Sequence, residues 1–183
     1  MRPRVRPLRP DELTPPQATL FAAITGGPRA QGPQHFALTA ADGSLRGPFD
    51  AMLRSPAVGT AQQELGAAIR YRTGLGDRAR ELAILLVAAR WSSAFEKEAH
   101  EAVARAMGFA DEELLAIAAE DVSVFTEHER VVGRTALALL DGDLTDAEWE
   151  TASGMLGIDG VFELTALIGY YSTLALQLRV FRV

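Results

Sequence analysis

The chain has 183 residues, 48% of them hydrophobic and 23% charged, with no cysteine, a composition and length that fit one soluble globular domain with a sizeable core. The missing cysteine excludes disulfides, thiolate metal sites, cysteine nucleophiles and dithiol redox cycles built from this chain. A net charge of −6, carried against 17 arginines and a single lysine, Lys97, makes nucleic acid a poor partner.

Arg2, Arg4, Arg6 and Arg9 are interleaved with prolines in residues 1–10, which lack the apolar run of a secretory signal and read as an extended arm. From residue 11 to 183 the periodicity is helical, and the expected fold is all-α in a single domain. Thr14-Pro15-Pro16 predicts a capped helix through about Ile24, stopped by Gly26-Gly27. Residues 27–47 form a long Gly- and Pro-containing loop with His35 and Phe36, a length typical of binding segments or lids. A short helix from Pro48 and a longer one from about Pro56 to Arg72 follow.

Asp77 is expected to cap a helix running to Trp91 with Leu82, Leu85, Leu86 and Ala89 as its apolar stripe. Ser92-Ser93 breaks the chain before a helix from Ala94 to Met107, which Gly108 ends in the C′ position. Asp111-Glu112-Glu113 opens a short helix with acids where the dipole favours them. Thr126-x-x-Glu129 and Thr145-x-x-Glu148 are capping boxes, with helix ends near Gly142 and Gly157. A last helix runs from about Asp159 to Phe181. Its uncharged stretch 164–178 is short for a bilayer span and reads as a core or interface helix, so no membrane partner is expected. Glu81-Leu-x-x-Leu85 and Glu163-Leu-x-x-Leu167 share a pattern that an internal pseudo-repeat of a helical hairpin would produce.

No phosphate loop, dinucleotide fingerprint, nucleophile elbow or His-Glu-x-x-His is present, and three scattered histidines give no metal site. The candidate chemistry lies in Glu81, Ser93, Glu96 and His100. Glu81 shares a face with Ile84, Leu85 and Ala88, so its carboxylate must find a partner or stay protonated. Glu96 and His100 are adjacent on one helical face. If the two helices fold back about Ser92-Ser93, carboxylate and imidazole meet as a proton relay. The alternatives at this level are a solvated Glu96–His100 pair and a Glu81 that merely complements a helix dipole.

The segment Arg80-Glu-Leu-Ala-Ile-Leu-Leu-Val-Ala-Ala-Arg-Trp91, with Glu96-x-x-x-His100 and Gly108-Phe-Ala-Asp-Glu-Glu113, resembles the carboxymuconolactone decarboxylase family, which includes the AhpD-type alkylhydroperoxidases. The resemblance covers roughly residues 45–175 and is specific over 80–113. It implies an all-helical, AhpD-like fold with a central helical hairpin, assembled as a homo-oligomer, commonly a trimer or hexamer. In the peroxidase branch the pattern Cys-x-x-Cys-x-x-x-His would place thiols at Ser93 and Glu96, so that activity is rejected here. The resemblance implies a cofactor-free decarboxylase or related enzyme of a lactone or small carboxylic acid; a cytoplasmic location is the expectation with which the missing cysteine is compatible. His100 would be the proton donor and acceptor, Glu81 and Glu96 its relaying carboxylates, Ser93 a hydrogen-bond donor to substrate, and Arg80 and Arg90 its cation candidates. The rival expectation is a non-catalytic oligomeric binding or scaffold protein of the same fold.

Overall fold

The computed structural model describes residues 3–27, 31 and 36–183, and among these the chain is all-helical, with eight α-helices and no strand. They are α1 (Pro15–Gly26), α2 (Pro48–Met52), α3 (Pro56–Tyr71), α4 (Asp77–Trp91), α5 (Ala94–Ala106), α6 (Asp111–Ala118), α7 (Glu127–Asp141) and α8 (Asp146–Phe181). Contacts divide the chain into two compact units, Met1–Ala68 with Leu176–Val183, and Ile69–Ala175.

In the first unit the proline-rich arm is extended, as its composition dictates, and hydrogen-bonded along its length. Arg4 N donates to Phe181 O at 3.1 Å, Leu8 N to Asp50 Oδ1 at 2.8 Å, and Arg54 reaches back to Arg6 O. The side chains of Arg6 and Arg9 are taken up by Glu12. Thr14 caps α1 through Gln17, whose Oε1 accepts from Thr14 N at 2.9 Å. Residues 38–46 of the long loop close on themselves through a Thr39–Leu45 bridge and a turn in which Asp42 Oδ1 accepts from Ser44 N and Oγ. His35 lies outside the described residues.

The second unit is built around α4. Every residue from Ala79 to Ala88 is buried, so the apolar stripe read from the sequence is too narrow: α5, α6 and α7 each pack on α4 and cover it on several sides. Asp77 also differs from expectation, being the first helical residue after an N-cap at Gly76. Two turns fix the direction of α5. Ser92 adopts the left-handed conformation (φ 50°, ψ 43°), and Ser92 N and Ser93 N donate to Ala89 O and Ala88 O, closing α4 in a Schellman motif. Gly108 (φ 85°) closes α5 the same way, with Gly108 N and Phe109 N donating to Arg105 O and Ala104 O. The link between α4 and α5 is therefore short enough to return the chain along itself as a hairpin.

Helix α7 approaches α4 at Gly133, where an added Cβ would lie 2.6 Å from Val122 Cγ1 and 3.5 Å from Leu82 Cδ2. Arg78 ties the ends together by donating to Glu113 at 2.6 Å and Glu129 at 2.7 Å, with its guanidinium 4.0 Å above the Phe109 ring. Both capping boxes form, with Glu129 on Thr126 and Glu148 on Thr145. The two C-terminal helices of the sequence reading run on as α8, interrupted at Gly157 (φ 71°, ψ 167°). By length and composition α8 alone among the described helices could cross a membrane. Of its most apolar stretch 28% is buried in protein, and Leu164, Leu167, Ile168, Tyr170 and Tyr171 of the helix are buried.

Candidate acid–base site

Glu81 stands one turn into α4 and His100 in the middle of α5, and the hairpin brings them together. His100 Nδ1 lies 2.6 Å from Glu81 Oε2. Both groups are removed from water, Glu81 at 0% exposure and His100 at 4%. Glu96, one turn before His100, is 3% exposed and places its Oε2 3.6 Å from Nε2, beyond hydrogen-bond length. The Glu96–His100 pair is thus buried, and the solvated reading of that spacing does not hold. The ring of Tyr171, from α8, meets the imidazole edge-on at 5.3 Å between centroids and 85° between planes.

Burial drives Glu81 toward protonation, but the charge and hydrogen bond of His100 and the charges of Arg70 and Arg80 outweigh it and hold the carboxyl below its ordinary value. An ionised Glu81 can only accept, so Nδ1 carries the proton of that bond. The ring's orientation and tautomer are fixed from behind, and Nε2 is left as the nitrogen that gives or takes a proton. The three residues form a line, Glu81 on one ring nitrogen and Glu96 toward the other, and do not converge on a common point. Among the described residues no His, Asp and Glu group is arranged to hold a metal ion.

The remaining sequence candidates fall in different places. Arg80 is buried and donates to Asp77 Oδ1 at 2.6 Å, and its contribution is to the charge balance around Glu81. Arg90 is engaged by Glu120 through two hydrogen bonds of 2.8 Å and by Asp141 at 2.5 Å, and these bonds raise its pKa further. Its guanidinium is committed to holding the end of α4 to the segment after α6 and to the end of α7. Ser93 is buried at the α5 N-cap, where its side chain makes no capping bond and its Oγ finds no partner among the described residues. It borders a pocket of about 340 Å³ between α4, the start of α5 and α6, whose lining includes none of Glu81, Glu96 and His100.

Sequence reasoning did not assign roles to Arg70 and Tyr171. Arg70 ends α3 as one of many arginines, and Tyr171 lies 71 positions beyond His100, so only the tertiary fold brings either to Glu81 and His100. Glu163, the pattern-mate of Glu81, has other surroundings: it accepts from Gly74 N at 2.8 Å. Neither a protein-family model nor a curated protein matches the chain.

Proposed function

We propose that this protein is a cofactor-free acid–base enzyme, a cysteine-less relative of the carboxymuconolactone decarboxylases acting on a lactone or related small carboxylic acid. The observation that carries the reading is the buried 2.6 Å contact from Glu81 to His100 Nδ1, because an imidazole oriented by a desolvated carboxylate is the arrangement general acid–base catalysis needs. In the decarboxylation, the bond to the departing carboxylate breaks, its electron pair enters the conjugated lactone, and carbon dioxide leaves. The dienolate so formed takes a proton from imidazolium Nε2. His100 returns to the neutral form with its remaining proton on Nδ1, held by Glu81, and is recharged from solvent. Glu96 lies on the Nε2 side, where it passes protons to and from the ring.

The proposal includes self-association. On α8, Ile158 is 70% and Phe162 74% exposed, one turn apart on one face, and a second copy of the chain is the occupant we assign to that face in a trimer or hexamer.

A non-catalytic scaffold is the second reading, and the near-complete burial of His100 favours it, since a sealed Glu–His pair also serves as a structural polar contact. The two separate in one assay. Loss of ultraviolet absorbance from γ-carboxymuconolactone is followed with the wild type, His100→Ala and His100→Gln, the last keeping an N–H for Glu81. Turnover by the wild type that both substitutions abolish, with native melting retained in His100→Gln, supports the enzyme. Absence of wild-type turnover removes this substrate and favours the scaffold.

A further inference from the structure

A second pocket, of about 390 Å³, lies where the ends of α4 and α7 meet the middle of α8. Trp91, Leu139, Leu140 and Ile168 make its walls apolar, and Gly169 opens one side of it, since a Cβ there would meet no atom within 4 Å. A glycine inside a helix destabilises it relative to alanine, and no described residue of the chain comes close enough to this one to require it. What the missing side chain leaves is room for a group arriving from outside.

The polar groups of the pocket are already committed. Arg90, its one charged side chain, is held by Glu120 and Asp141, and Thr165 Oγ1 donates to Val161 O at 2.9 Å. Small-molecule sites fix their ligands by a few convergent polar groups, and an apolar side chain suits this pocket better.

The chain carries such a side chain on the same face of α8. Phe162, at 74% the most exposed large apolar residue among those described, precedes Thr165, Gly169 and Ser172 at helical spacings of three, four and three. Glu163 is the one charge between them, and its carboxylate is turned to Gly74 N. Phe162 does not fill the pocket of its own copy, because it and Gly169 stand about 10 Å apart along the helix axis. A face that bears both a ring and a pocket fits a second copy of itself. A foreign partner would have to match both at the same spacing.

We infer that Phe162 of one copy inserts into this pocket of another, its ring against Trp91 and Ile168 over Gly169. The contact rests on the self-association proposed above, gives it a register, and is independent of proton transfer at His100.

The absence of cysteine makes the test direct. Phe162→Cys and Gly169→Cys are made as single variants of the full chain, oxidised with glutathione disulfide alone and as an equimolar mixture, and sized on non-reducing gels. Wild type and Gly169→Trp are compared by sedimentation equilibrium and thermal melting. Positions 162 and 169 of one chain are too far apart for a disulfide, whose Cα atoms lie within roughly 7 Å, so the 162–169 bridge can only join two copies. We expect the mixture to form a species of twice the chain mass about tenfold or more faster than either variant alone, as the high effective concentration of a formed contact dictates. Gly169→Trp, which blocks the pocket from its own helix, melts as the wild type does and sediments as one chain. A wild type that sediments as one chain overturns this contact and the proposed assembly together. A wild type that self-associates while the mixture links no faster than the single variants, or while Gly169→Trp keeps its mass, overturns the contact alone.

Discussion

Glu81 has two separable effects, one on the rate and one on the fold. Glu81→Gln keeps the shape and an acceptor oxygen but removes the charge that orients and balances the imidazole. It should lower kcat by about 10²- to 10⁴-fold with little change in KM, measured on whichever substrate the wild type turns over. Glu81→Ala strips His100 Nδ1–H of its partner inside the protein, and chemical denaturation should show a loss of about 3–5 kcal/mol. The sequence showed both residues, because helical spacing on either side of a two-serine break was enough to face them. It could not show Arg70, which acts on Glu81 through space, or Tyr171, whose edge contact closes over a long stretch of chain. It also named Arg80 and Arg90 as cations for a substrate. Which carboxylates an arginine meets depends on loops, and here Asp77, Glu120 and Asp141 reach them first.

At the level of elements, the α4–α5 turn carries the site and has a measurable imperfection. Ser92 occupies a left-handed position that Gly108 fills without strain at the end of α5. Ser92→Gly should therefore raise stability by about 0.5–1 kcal/mol by thermal or urea unfolding. Gly133→Ala should do the opposite, by about 1–3 kcal/mol, because its Cβ would drive into Val122 where α7 lies on α4. The helices and most of their ends were legible because they are local: capping boxes at Thr126 and Thr145, a Gly at 108, a break at Gly157. The full burial of α4 was not, since its stripe of leucines says only which face must be covered and is silent on how many neighbours arrive.

For the whole molecule, acid stability follows from carboxyls held ionised. Glu81 is kept below its ordinary value of 4.5 against the opposing effect of burial. Glu120 is lowered first by its hydrogen bonds to Arg90. Glu129 is lowered where Arg78 and Thr126 overcome its burial. Each binds its proton less readily folded than unfolded, so the unfolded chain takes up more protons as pH falls. Their stabilisation should be complete above about pH 4.5 and be lost progressively below it, as unfolding midpoints measured across pH would register. The proposed assembly belongs at this scale too. Phe162→Glu should reduce the mass found by sedimentation equilibrium to that of one chain.

The most direct measurement does not depend on choosing a substrate. In protein labelled with ¹⁵N histidine at about pH 8, the ring nitrogens of His100 report which of them carries the proton. The account predicts a proton on Nδ1, its resonance shifted far downfield by the Glu81 carboxylate and moved back upfield in Glu81→Gln. A proton on Nε2 with Nδ1 bare, or ring resonances indifferent to Glu81→Gln, would contradict it.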